Sequence, residues 1–386
     1  RGGQVLGPGG IGAGFLPDGE SIVETSPNDV RLYATRYGAE IASIPQLLWW
    51  FEQSPNAKQL AAYWAAPPQM NPCEIVVLDA ATGEPIRRFS VEDSPFDTIG
   101  CPVGVGRPSG WFAFSPDGQT MLGGVADGLV VLWDVETGEI LQRFEGHVTQ
   151  IVDVVFSPDG TSAITGARLC ADTSACSSSE IIHWELATGQ EIRRLVAPDI
   201  TGAFTAIAIS PDGTKVLSSH DAGLVLYWDL TTSEIIRRID WAGIARDVTF
   251  SPDGTTALIA GVGDTPSALI DLATGATIHS LNAGVTSGIV FTPDGRYAIS
   301  AGVRLSLWDL STGEEIRRYG ENNFFIVPTV RPDGTFMVYD VNASAIRQFR
   351  MDSTDELLAW TQANRFIREL TCTERETYRI MPYCGS

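Results

Sequence analysis

A tight-turn signature, Pro-Asp-Gly, recurs along the chain at Pro17, Pro116, Pro158, Pro211, Pro252, Pro293 and Pro332, with Pro55 opening the variant Pro-Asn-Ala. Proline presets φ at the first corner, aspartate bonds its own backbone, and glycine accepts the left-handed conformation that closes the turn. In the clearest copy, Phe114 to Phe144, the Ser-Pro-Asp-Gly, Ala-Asp-Gly and Thr-Gly-Glu turns separate four short apolar runs. That pattern predicts a four-stranded antiparallel meander. Eight such turns imply eight units and an all-β fold.

A second landmark follows the turns: Leu78-Asp79, Trp133-Asp134, Trp184-Glu185, Trp228-Asp229, Ile270-Asp271 and Trp308-Asp309, mostly leading into Thr-Gly. These pairs mark the end of each third strand. With a spacing of about 40 residues and repeated Trp-Asp pairs, residues 11 to 351 resemble the WD-repeat β-propeller family, in the form common in bacterial repeat proteins. The resemblance implies a ring of four-stranded antiparallel blades, each with its first strand lining a central channel. An eight-bladed propeller over residues 1–352 is expected, with seven blades as the alternative.

The first unit runs from Ile11 to Ile44, with Arg31-Leu32-Tyr33 in place of Leu-Trp-Asp, and the second from Leu47 to Phe89, with Trp49-Trp50-Phe51 as packing residues. Units three to seven reach Tyr319. The eighth, Phe324 to Met351, lacks a fourth strand, which Gln4 to Gly7 is expected to supply, closing the ring and its sheet edges. Gly-His before a blade occurs at Gly146-His147, and matching turn aspartates stand at Asp127 and Asp221. The family's buried polar network is therefore expected to be mostly absent, leaving stability to apolar packing between blades. Fourth-strand arginines at Arg88, Arg143, Arg194, Arg238 and Arg318 are expected to cover blade edges while pairing with nearby carboxylates. Beyond Met351, Ser353-Thr-Asp-Glu reads as a capping box opening a helix over about 354–369, the start of a 353–386 helical tail.

The formal charge is −21, from 47 acidic and 26 basic side chains, with Lys58 and Lys215 the two lysines. That balance argues against nucleic-acid and anionic-membrane partners, both of which need a basic face. No run reaches the ~18 apolar residues of a membrane-spanning helix. The chain starts at Arg1, from which a processed or missing preceding segment is expected. Six cysteines fall into local pairs, Cys73 with Cys101, Cys170 with Cys176 and Cys372 with Cys384, a grouping that favours disulfides and an oxidising, extracytoplasmic setting.

The repeat is interrupted at 67–74, 90–110 and 168–180, segments predicted as long loops on one face of the ring. Long loops on a rigid scaffold are natural binding elements. Gln69, Met70, Phe96, Arg107, Arg168 and Asp172 are the candidate partner-binding residues. Nucleophile-elbow, metal-helix, phosphate-loop and haem motifs are missing, and His220-Asp221, as strand neighbours, point to opposite faces and make no dyad. Asn342-Ala-Ser344 is a formal glycosylation sequon. The expected function is a non-enzymatic protein-interaction or assembly module, self-association included, with no cofactor, catalytic residue or metal. The alternatives are a propeller enzyme with a channel-mouth site, of quinoprotein or lyase type, and the sensor part of a larger chain.

Overall fold

The computed structural model describes residues 12–15, 21–26, 29–34, 51–56, 58–65, 73–79, 85–89, 112–124, 128–149, 151–172, 175–197, 204–221, 223–262, 265–319, 325–330, 335–340 and 345–350. The chain divides into two compact units, residues 1–39 with 349–386, and residues 40–348. The first contains a three-stranded sheet of β1 (Gly12–Phe15), β2 (Ser21–Ser26) and β3 (Asp29–Ala34), with Arg31-Leu32-Tyr33 on β3.

Among the described residues the second contains seven sheets, each a meander in chain order. The first two are β4 (Phe51–Gln53), β5 (Gln59–Ala65), β6 (Cys73–Asp79) and β7 (Pro85–Phe89), then β8 (Phe112–Phe114), β9 (Thr120–Gly124), β10 (Val130–Asp134) and β11 (Ile140–Phe144). Next come β12 (Ile151–Phe156), β13 (Ser162–Asp172), β14 (Ala175–Glu185) and β15 (Glu191–Val196), and β16 (Phe204–Ile209), β17 (Lys215–His220), β18 (Leu224–Asp229) and β19 (Ile235–Asp240). The remaining four-stranded sheets are β20 (Ala245–Phe250), β21 (Thr256–Gly261), β22 (Ser267–Asp271) and β23 (Thr277–Leu281), and β24 (Thr286–Phe291), β25 (Tyr297–Gly302), β26 (Leu305–Asp309) and β27 (Glu314–Tyr319). The last sheet has three strands, β28 (Phe325–Val330), β29 (Thr335–Asp340) and β30 (Ala345–Arg350), the end of β30 running into the other unit. Six sheets are thus four-stranded, and each Trp-Asp or equivalent pair closes a third strand as its sequence position predicts.

Within the larger unit the first strands are neighbours in the order β4, β8, β12, β16, β20, β24 and β28, and β28 also touches β4. Burial follows position within each sheet. Second strands such as β17 and β21 are buried on both faces after their first residue. Fourth strands such as β19 and β27 alternate between half-buried and solvent-facing positions, with one buried residue each. A second strand is flanked by sheets on either side, whereas a fourth strand lies at the edge.

The core lies between adjacent sheets. Phe89 meets Trp133 edge-on at 6.1 Å, and one blade later Phe144 meets Trp184 at 5.6 Å, so the last apolar residue of each of these fourth strands packs on the tryptophan of the next blade. Such pairs add to the burial energy of both rings.

The Pro-Asp-Gly turns also join blades. In one, Asp117 accepts from the Ser115 hydroxyl at 2.6 Å and the Gln119 amide at 2.9 Å, while Gly118 takes φ +71°. A Cβ added at Gly118 would meet Cδ of Pro55, in the preceding blade, at 3.6 Å. The same neighbour relation repeats for Gly160 with Pro116, Gly213 with Pro158, Gly254 with Pro211 and Gly295 with Pro252.

Gln4 to Gly7, Trp49, Trp50, Asp127, Asn342 to Ser344, the 354–369 helix and the Cys372 to Cys384 segment lie outside the described residues, as does the domain boundary at 352.

Candidate functional site

The interruption at 168–180, expected as a loop, is a continuation of β13 and β14 into a long hairpin. Ladder pairing with its own return strand lets this polar, serine-rich sequence stay extended, because each strand satisfies half of the other's backbone groups. The register sets Arg168 opposite Ser179, Cys170 opposite Cys176 and Asp172 opposite Ala175, with irregularities on both sides of Cys170. The neighbouring ladders stop earlier: β12 pairs with β13 as far as Ala167, and β15 pairs with β14 as far as Glu180. Beyond those points the described residues place no third strand beside the hairpin. Two candidates, Arg168 and Asp172, are therefore brought together on one element. Gln69, Met70, Phe96, Arg107 and Cys101 lie outside the described residues, while Cys73 begins β6 opposite Ala65.

The first strands converge on a cavity of about 520 Å³ that all seven of them line. Three carboxyl groups reach it, Glu52 from β4, Asp153 from β12 and Asp247 from β20, together with the guanidinium of Arg246. Asp153 accepts from the Ile207 amide of β16 at 2.8 Å and from its neighbour Val154 at 2.9 Å. Asp247 accepts from the Ile289 amide of β24 at 3.0 Å. Each aspartate thus ties its own first strand to that of the following blade. Burial above all, with repulsion from Asp247 and Glu52, pushes the pKa of Asp153 well up against the pull of its two amides. Burial pushes Glu52 up to about 8 and lowers Arg246. Sequence reasoning missed this set. The available signal was a carboxylate set among apolar neighbours in a first strand, at Val152-Asp153-Val154, repeated two blades on at Asp247-Val248.

A buried polar chain, expected to be mostly absent, is complete in the blade of β12–β15. His147 Nδ1 lies 2.8 Å from Glu180, its Nε2 lies 2.7 Å from the Thr165 hydroxyl, and Trp184 Nε1 donates to that same hydroxyl at 2.7 Å. Glu180, on a third strand, takes the acidic place, which a search for turn aspartates passes over. Burial works to raise the Glu180 pKa, but His147 and Arg194 hold it below the usual range. Part of the chain recurs elsewhere: Trp228 donates to Ser218 and Trp308 to Ser300, each at 2.9 Å. In the β8–β11 blade the corresponding place is Gly123, and the buried Trp133 Nε1 has no partner among the described residues. His220 closes β17 with Nε2 3.3 Å from Ser218, and burial pushes its pKa down to about 4.

Rim arginines take two kinds of partner. Arg194 pairs with Glu180 and Glu191, and Arg318 with Glu315. Arg87 and Arg237 instead donate to backbone carbonyls of the next blade, Thr137 and Ala273. Among the described residues no group of three or more His, Cys, Asp or Glu is arranged to hold a metal ion, and no helix is long and apolar enough to cross a membrane.

Residues 111–134 and 138–176 match the family described as WD domain, G-beta repeat. The chain is 28% identical over 122 residues to a WD repeat domain-containing protein 83 homolog of Dictyostelium discoideum, covering 32% of this chain and 34% of that protein. It is 30% identical over 162 residues to eukaryotic translation initiation factor 3 subunit I of Meyerozyma guilliermondii, covering 39% and 46%. Against transcription initiation factor TFIID subunit 5 of Caenorhabditis elegans it is 25% identical over 232 residues, covering 56% and 30%. The chain spans less than half the length of each of these relatives. All three are eukaryotic, so the bacterial form of the repeat draws no support from them. The turns, the third-strand Trp-Asp pairs and the His147–Thr165–Trp184 chain agree with that match, which places WD40 repeats within residues 111–176.

Proposed function

We propose that the chain is a non-enzymatic protein-interaction or assembly module, recruiting protein through the face that carries the β13–β14 hairpin, with Arg168 and Asp172 among the contacts. The observation that carries this is the run of hairpin beyond its neighbouring ladders, Arg168 to Asp172 and Ala175 to Ser179. An unpaired strand edge offers a row of backbone donors and acceptors to another chain. Two relatives are named as subunits of initiation factors, which accords with a scaffold working inside a larger assembly. The ring is seven-bladed on this proposal, because β28 returns to β4 within one compact unit.

The compartment is extracytoplasmic and oxidising on the same proposal, supported by Cys170 standing opposite Cys176. Opposed residues of an antiparallel pair have Cα atoms about 4.5–5.5 Å apart, a separation a disulfide spans.

Replacing residues 171–178 with a short turn tests the binding face. Reduced partner recovery or disrupted self-association, with thermal unfolding unchanged, is expected. Unaltered recovery and assembly would overturn the proposal. Peptide mapping of non-reduced protein from its native source tests the compartment: a Cys170–Cys176 bridge is expected, and free thiols at both positions would count against it.

A further inference from the structure

The channel cavity gathers Glu52, Asp153 and Asp247 from three different blades, with Arg246 as the cation among its lining residues. The other first strands, β8, β16, β24 and β28, line it with groups that do not titrate. Asp153 and Asp247 spend an oxygen each on an amide of the following blade. Glu52 sits on β4, the strand that touches both β8 and β28. Three anions around one cavity repel each other, and that repulsion favours the protonated carboxyl.

We propose that protons held by this carboxyl set fasten the ring at its channel, so that the propeller is tightened by mild acid and loosened as the solution becomes alkaline. Glu52 is the group that sets the working range. Its pKa, raised by burial to about 8 from an ordinary 4.5, means that the folded chain holds a proton the unfolded chain releases. The stability this contributes is fully present below pH 4.5 and is lost as pH rises through about 8. Asp153 acts in the same direction, its pKa raised by burial and by its two acidic neighbours. Two histidines act oppositely, the buried His220 and the half-buried His183: burial lowers both from 6.5, so their effect falls below pH 6.5. The interval between 6.5 and about 8.5 therefore belongs to the channel carboxyls.

Thermal unfolding of the full chain across that interval is the test. The wild-type Tm is expected to fall by a few degrees as pH rises, and Glu52→Gln, which keeps the shape without the proton equilibrium, is expected to flatten the slope. A flat wild-type profile, or a Glu52→Gln chain that keeps the wild-type slope, would overturn the proposal. Should that variant fail to fold, wild-type protein unfolded by urea in weakly buffered solution at pH 7.5 gives a second measurement. Net release of about one proton per chain is expected, and no release, or uptake, overturns the proposal.

Discussion

Arg87 lies across Gly138 of the following blade, its Nη1 donating to the Thr137 carbonyl at 3.1 Å. Three blades on the contact repeats, where Arg237 lies across Gly275 and donates to the Ala273 carbonyl at 2.5 Å. Gln142 over Gly189 and His279 over Gly313 occupy the equivalent places. A fourth-strand side chain is thereby laid over the left-handed residue of the next Thr-Gly turn, and that residue is constrained twice, by its φ and by its neighbour.

Gly138→Ala is expected to destabilise the fold by about 1–2 kcal/mol, because φ is +78° and the new methyl meets Arg87 Cδ at 2.9 Å. Urea denaturation midpoints, compared with wild type, check the size of the loss.

Ser233 holds φ 65° where the other turns have glycine. Ser233→Gly is therefore expected to stabilise, by up to about 1 kcal/mol. A lowered or unchanged denaturation midpoint would contradict the idea that this position is strained.

Thr165→Val removes the hydroxyl shared by His147 and Trp184 while keeping the side-chain volume. Leaving buried polar groups without partners is expected to cost about 2 kcal/mol or more. Gly123→Ser is the converse, supplying a hydroxyl to the buried Trp133 Nε1, and is expected to raise the Tm. Both are read by calorimetry.

His220 provides a pH prediction of opposite sign to that of the channel. Its burial-lowered pKa, about 4 against 6.5 unfolded, gives stability that is present above pH 6.5 and lost as pH falls through about 4. The wild-type Tm minus that of His220→Gln is expected to decrease as pH falls from 7 to 4, which isolates the histidine from the channel carboxyls.

Local chemistry made much of the fold legible in the sequence. A Ser-Pro-Asp-Gly run carries its own hydrogen bonds, Ser115 to Asp117 and Asp117 to the Gln119 amide, so the turn can be read without knowing what it packs against. Trp133-Asp134 and its counterparts end strands for a similarly local reason, Asp134 accepting from the Thr137 amide at 2.7 Å. The hairpin beyond Arg168 was not legible, since cysteine, serine and aspartate show no strand alternation and its extension rests on pairing across the hairpin. The channel set was hidden for another reason. Glu52, Asp153 and Asp247 are far apart in the chain, and what unites them is the return of each blade to a common axis. Glu180 was missed because the acidic partner of His147 was sought in a turn and stands on a strand.

The line of prolines nested against glycines, from Pro55 and Gly118 to Pro252 and Gly295, runs one way only: an earlier blade always offers the ring and a later one the space beside it. A chain emerging from the ribosome presents its amino-terminal segments first. Each blade, once made, leaves a ledge on which its successor's turn can seat before the rest of the protein exists. The arrangement gives the circle a grain, and lets construction of a closed object proceed as a sequence of additions from a single end.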